Sequence, residues 1–126
     1  MLLRRTVLLV EDESHCISTL QIAFESETEP RLAHTSTAEE ALRILDSTEI
    51  AAVITDIHLP SMDGFELIAR LRNQPHFAHL PIVVTSGDPD PDFPERALSL
   101  GANAFFPKPY SPSAIRRKVK ELIHAL

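Results

Sequence analysis

The 126-residue sequence has one cysteine, no tryptophan and no apolar run longer than a few residues. A lone Cys16 excludes an internal disulfide, which fits the reducing cytoplasm, and it reads as a small hydrophobe on a helix. Runs this short leave nothing to span a membrane. The opening Met1-Leu2-Leu3-Arg4-Arg5 with Thr6 to Val10 has a faint look of a secretion signal. Its apolar part stops at once in Glu11-Asp12-Glu13, too short and then wrongly charged. A basic surplus is missing too: 12 Lys and Arg against 18 Asp and Glu give a net charge of −6. That balance argues against direct binding of nucleic acid, whose phosphates are held by excess Lys and Arg. The Gly-x4-Gly-Lys-Ser/Thr loop of nucleotide-binding proteins is absent, as are internal repeats and linkers.

What remains is the composition of one globular domain, 44% hydrophobic and 24% charged, over residues 1–126. Three runs rich in β-branched residues, Thr6 to Val10, Ala51 to Thr55 and Pro81 to Thr85, are continuously apolar. Strands buried on both faces of a parallel sheet read this way, whereas half-exposed strands alternate. Weaker strands fit Leu32 to His34 and Asn103 to Phe106.

Helical patterns lie between them. Ile17, Leu20 and Phe24 share one face, and Ala38, Ala41, Leu42 and Leu45 another, the latter opened by a capping box at Thr37-Ala38-Glu39-Glu40. Phe65, Ile68 and Leu71 predict a third helix that starts at Asp63 and Gly64. Ile115, Val119, Leu122 and Leu126 predict the last, with Ser111 as N-cap and Pro112 at the first helical position. In Asp88-Pro89-Asp90-Pro91-Asp92-Phe93-Pro94, prolines occupy the expected start of the fourth helix and delay it to about Pro94. Strand and helix thus alternate five times, predicting an α/β fold with a doubly wound, five-stranded parallel sheet and five helices.

In such a sheet, sites form at the carboxyl ends of the strands. Glu11 and Asp12 follow the first strand and Asp56 the third, so three acids crowd one edge. Like charges disfavour one another's ionisation unless a cation joins them, and hard oxygen ligands suit Mg²⁺. Glu11 and Asp12 by themselves equally suit a helix start, where acids favour the dipole. Ser86 brings a hydroxyl from the end of the fourth strand, with Thr85 a rival, and Lys108 an ammonium from the end of the fifth. A lysine beside Asp56 would keep that carboxylate ionised and then balance phosphoryl charge. An acid pair, an acid, a hydroxyl and a lysine, each closing a different strand, define one site.

In these motifs the chain resembles the response-regulator receiver domains of two-component signalling, including the chemotaxis regulators. They are Val10-Glu11-Asp12, the stretch from Asp56 through His58 to Gly64, Thr85-Ser86-Gly87, and Lys108-Pro109-Tyr110. Spacings of 44 residues from Asp12 to Asp56, 30 from Asp56 to Ser86 and 22 from Ser86 to Lys108 fit without gaps. The resemblance implies the flavodoxin-like receiver fold and a signalling switch that catalyses only its own phosphotransfer and autodephosphorylation. Asp56 would accept a phosphoryl group from a sensor histidine kinase or phosphotransfer protein. Mg²⁺ would be held by Asp12 and Asp56 directly, by Glu11 through water and by the backbone carbonyl of His58. Lys108 would pair with Asp56 and precede a cis peptide bond to Pro109.

The state of Asp56 would pass through Ser86 and Phe105 to the face formed by the fourth helix, fifth strand and fifth helix, where a phosphorylation-linked homodimer is one implied outcome. Phe105 equally suits a core aromatic. His58 and Asp88, two residues beyond Asp56 and Ser86, flank the path of a hydrolytic water and are candidates for setting the dephosphorylation rate. Met62 reads as loop packing, and Arg116, Arg117, Lys118 and Lys120 as a solvated helix face or a docking surface. No output domain is visible, which leaves a single-domain regulator acting on a target protein or one piece of a longer regulator or hybrid kinase. A haloacid-dehalogenase-type phosphatase would need an acidic residue where this chain has His58.

Overall fold

The computed structural model describes residues 5–25 and 30–125. Its elements run β1 (Thr6–Val10), α1 (Ser14–Ala23), β2 (Arg31–Thr35), α2 (Ala38–Ser47), β3 (Ala52–Asp56) and α3 (Gly64–Arg72). After a 3-10 turn at Pro75–Phe77 come β4 (Ile82–Ser86), α4 (Phe93–Leu100), β5 (Ala104–Pro107) and α5 (Pro112–His124). The strands form one parallel sheet in the order β2-β1-β3-β4-β5. The expected doubly wound, five-stranded architecture is the observed one. Among the described residues, no helix is long and apolar enough to cross a membrane.

Alternation along the central strands sorts the core into two layers. Val7, Leu9, Ile54 and Val83 pack with Leu20 of α1 and with Ile115, Val119 and Ile123 of α5. Leu8, Val10, Val53 and Val84 face the other way, onto Ala41 and Leu45 of α2, Leu67, Ile68 and Leu71 of α3, and Ala97 of α4. Cys16 and Met62 are buried, as their sequence contexts imply.

The helix starts follow their capping chemistry. Thr37 Oγ1 accepts from the Glu40 N–H at 3.1 Å, Asp63 Oδ1 from the Glu66 N–H at 2.9 Å, and Ser111 Oγ from the Ala114 N–H at 3.2 Å. α4 begins at Phe93, with Pro94 in its first turn. The buried stripe of α5 runs through Ile115, Val119 and Ile123, while Leu122 is half-buried and Leu126 lies outside the described residues. A 4-4 spacing places Ile123, not Leu122, squarely over the sheet. Arg117 is exposed, whereas Arg116, Lys118 and Lys120 are partly covered by their neighbours.

Arg72 closes the lower end of the α3/α4 layer. Its guanidinium donates to the Gly101 carbonyl at 3.0 and 2.8 Å, to the Phe77 carbonyl at 2.7 Å and to Asn103 Oδ1 at 3.2 Å. Arg72 thus serves the Gly101 carbonyl at the end of α4 and joins the Leu80 N–H, at 3.3 Å, on the Phe77 carbonyl. Arg72→Ala is expected to cost about 2 kcal/mol in urea unfolding. Arg72→Lys should recover less than half of that loss, because an ammonium lacks the planar fork.

Candidate functional site

The acidic residues meet at the carboxyl edge of β1 and β3. Asp56 is the last residue of β3, paired in register with Thr85, and Ser86 is the last of β4, paired with Pro107. The apolar runs in the sequence stop one residue earlier, at Thr55 and Thr85, and Ser86 closes the fourth strand as expected. The ladder continues because the Ile57 N–H reaches the Thr85 carbonyl at 3.1 Å and the Lys108 N–H reaches the Ser86 carbonyl at 2.8 Å. Asp56 and Ser86 are therefore held by the sheet itself. The flanking strands β2 and β5 likewise begin or end one residue away from the expected bounds, at Arg31–Thr35 and Ala104–Pro107.

Glu11, Asp12 and Asp56 each present a carboxylate oxygen within 4.8 Å of the others. Glu11 is fully buried and Asp56 is 5% exposed, while Asp12 faces solvent. Glu11 is turned inward because its Oε2 accepts from the N–H groups of Asp12 and Glu13 at 3.1 and 3.2 Å. His34 fixes the same strand end, with Nε2 at 2.9 Å from the Glu11 carbonyl. Asp56 Oδ1 accepts from the Ile57 N–H at 2.8 Å, which leaves Oδ2 turned toward Lys108.

Lys108 Nζ lies 3.0 Å from Glu11 Oε1, 3.3 Å from Asp56 Oδ2 and 3.6 Å from Glu13 Oε2. The expected partner is present, and the shortest pairing is with Glu11. Burial pushes the Glu11 carboxyl above its ordinary 4.5, against the lowering effect of the Lys108 bond. Burial also opposes the charge on Lys108, but the Glu11 bond and the Asp56 charge outweigh it and raise its pKa. Glu13 is shifted down, chiefly by the Cys16 thiol that donates to its Oε2 at 2.9 Å. The Lys108–Pro109 peptide bond is cis. One ammonium among these carboxylates leaves a surplus of negative charge on hard oxygen donors, and such a donor set fits a divalent cation of the Mg²⁺ type.

Ser86 lies two residues beyond Val84, on the side of the sheet where Phe105 packs half-buried against the α3/α4 core. Thr85 follows the opposite alternation. His58 and Asp88, from different loops, are bonded to each other, Nε2 to Oδ2 at 2.8 Å. Asp88 is held below the ordinary carboxylate range by the Asp90 N–H and then by His58. Sequence reasoning placed Gly64 only as a helix start. Its N–H donates to the Ile57 carbonyl at 2.8 Å, and a Cβ there would lie 2.3 Å from the Asp56 carbonyl oxygen. Glu13 and His34 carried no sequence signal for their contacts, since both depend on how the strand ends come together.

The response regulator receiver domain profile matches residues 7–120, and the chain is a member of that family, whose domains are phosphoryl-transfer switches of two-component systems. It is 32% identical over 108 residues to the response regulator GtcR of Aneurinibacillus migulanus, covering 86% of this chain and 43% of that protein. The signal receiver domain of a signal transduction histidine kinase from Syntrophus aciditrophicus superposes with a TM-score of 0.86 at 30% identity, over 97% of this chain and 92% of that one. The receiver domain of a sensor histidine kinase from Pseudomonas aeruginosa, solved with a magnesium ion coordinated in the active-site cleft, shares the fold at a TM-score of 0.83 and 22% identity, over 97% and 99% of the two chains. The chain spans less than half the length of GtcR and a quarter of a probable cyclic di-GMP phosphodiesterase of Vibrio cholerae that it also resembles.

Proposed function

We propose that residues 1–126 act as one receiver domain in which Asp56 is the phosphoryl acceptor. The observation that carries this reading is the meeting of Glu11, Asp12 and Asp56 within 4.8 Å, with Lys108 Nζ 3.3 Å from Asp56 Oδ2. A carboxylate oxygen of Asp56 attacks the phosphorus of a phosphohistidine. The P–N bond breaks as the P–O bond forms, and the leaving imidazole nitrogen keeps the electron pair and takes a proton. Asp12 and Asp56, with Glu11 through water and the His58 carbonyl, would hold the Mg²⁺ ion. That ion supplies neutralisation of charge on the phosphoryl oxygens. Lys108 stays on the acidic edge and offers its ammonium to the phosphoryl group.

Ser86 then donates its hydroxyl to a phosphoryl oxygen, and Phe105 repacks on the same face of the sheet. The output is the α4–β5–α5 face, where Leu98 is 48% exposed. A sensor histidine kinase or a phosphotransfer protein supplies the phosphoryl group in the cytoplasm, and a target protein, an output domain or a second copy of the chain reads the result. The domain turns over only its own aspartyl phosphate.

Acetyl phosphate or beryllofluoride with Mg²⁺ tests this. Wild type should gain one phosphoryl or beryllofluoride adduct and Asp56→Asn none. Identical, unmodified spectra from both would leave a partner-binding module that works without phosphorylation.

We read His58 and Asp88, bonded at 2.8 Å, as the residues that flank the path of a hydrolytic water to Asp56. Opening that bond with Asp88→Ala is expected to change the aspartyl-phosphate lifetime by roughly threefold, the scale of one solvent-exposed ion pair. Equal lifetimes measured by loss of radiolabelled phosphate would count against this role.

A further inference from the structure

Three carboxylates share the ammonium of Lys108, and two of them, Glu11 and Asp56, belong to the phosphoryl site. The third, Glu13, stands at the start of α1 with Oε2 3.6 Å from Lys108 Nζ. The same oxygen accepts from the Cys16 thiol at 2.9 Å. Thiol and ammonium therefore address one acceptor. The thiol holds the closer place, although an S–H group is the weaker donor. Glu13 is anchored at its backbone, where its N–H donates to Glu11 Oε2 at 3.2 Å and its carbonyl accepts from the Ile17 N–H at 3.1 Å.

Distance alone makes Glu13 the weakest of the three partners, but burial narrows the gap. The Lys108 side chain is 16% exposed, and burial opposes its charge. Glu11 and Asp56 are partners whose side chains are themselves 1% and 7% exposed, whereas that of Glu13 is 53% exposed. A shift of the ammonium toward Glu13 keeps a counter-ion and gains water. A cavity of about 410 Å³, lined among others by Glu13, Cys16, Lys108 and Tyr110, gives it the room.

We propose that Glu13 is a positioning residue that competes with Asp56 for the Lys108 ammonium, and that the Cys16 thiol limits this competition by occupying Glu13 Oε2. The inference rests on the reading of Asp56 as phosphoryl acceptor. A phosphoryl group on Asp56 needs the ammonium on its own side, so whatever draws Lys108 toward Glu13 weakens the loaded state. Glu13 touches neither the phosphoryl group nor the cation in this role. Removing its charge therefore improves the site, whereas losing a residue that only supports the fold would leave the site unchanged or damage it.

Beryllofluoride titration at saturating Mg²⁺, followed by fluorine NMR, tests the competition. Glu13→Gln should tighten the adduct by roughly threefold, the scale of one exposed ion pair. Cys16→Ala frees Oε2 for the ammonium and should weaken the adduct by a similar factor, and Cys16→Ser, which keeps a donor, should restore it. Added to Glu13→Gln, the Cys16→Ala change should have no further effect, because no carboxylate is left to release. Equal affinities in wild type and Glu13→Gln overturn the proposal. So does a Cys16→Ala loss of the same size with and without Glu13, which would assign it to packing around the thiol. Tightening by Glu13→Gln with no response to Cys16→Ala overturns the competition and reduces Glu13 to a general charge effect. No adduct on wild type overturns the phosphoacceptor reading and the competition with it.

Discussion

Gly64→Ala should destabilise the domain by about 3 kcal/mol and damage phosphoryl uptake in whatever fraction still folds. The cause is a close approach between the start of α3 and the end of β3. An added Cβ would sit 2.3 Å from the Asp56 carbonyl oxygen and 2.9 Å from the Ile57 Cα, and both neighbours are backbone. Backbone in a central strand cannot swing aside as a flexible side chain does. Relief requires α3 to lift, which breaks the 2.8 Å bond from the Gly64 N–H to the Ile57 carbonyl and unseats Phe65 from the core. The Asp63 cap would be strained by the same movement. Urea unfolding gives the stability loss, and beryllofluoride titration of the folded fraction gives the effect on Asp56. A variant as stable as wild type would show that the β3–α3 junction has more play than these distances allow.

Lys108→Met is expected to lose about 3 kcal/mol near neutral pH in buffer free of divalent cations. The methionine fills the same channel, so the loss reports charge rather than packing. Lys108 faces Glu11 and Asp56, side chains that are 1% and 7% exposed, and its removal leaves both carboxylates buried without their counter-ion. Glu11 already sits above its ordinary 4.5 because of burial. A carboxyl raised in the folded state holds its proton where the unfolded chain has released it. Its contribution to stability is complete below 4.5 and is lost as pH rises through the folded value. Without Lys108 that value moves further up, so the deficit of the variant should be widest at neutral pH and should narrow as pH falls toward 4.5. A deficit that does not change with pH would assign the loss to packing.

The central strands were legible in the sequence because β1, β3 and β4 are covered on both faces and read as unbroken apolar runs. β2 and β5 lie at the sheet edges, are only partly covered, and gave the weaker patterns. The membership of the site was legible for a related reason: polar residues that close buried strands have few structural uses, and five of them fell at strand ends. Their pairing was not. That Lys108 lies nearer Glu11 than Asp56 follows from the inward turn of Glu11, set by two backbone N–H groups that no spacing rule reveals. The His58–Asp88 bond needs the β3 and β4 loops side by side, which only the strand order supplies. The bonds from the Asp90 N–H to Asp88 and from the Asp92 N–H to Asp90 were hidden in a segment read simply as proline-rich, because side-chain bonds to nearby backbone leave no periodic mark.

Glu11 and Lys108 are bonded although 97 positions separate them in the chain. During synthesis, a nascent chain therefore carries every acid of the cluster long before it carries the lysine that balances them. Until β5 and its following loop have joined the sheet, the acids at the end of β1 and β3 repel one another and cannot settle in the dry edge they occupy at the end. A divalent cation can stand in for the missing ammonium during that interval, so it should speed folding as well as stabilise the finished domain.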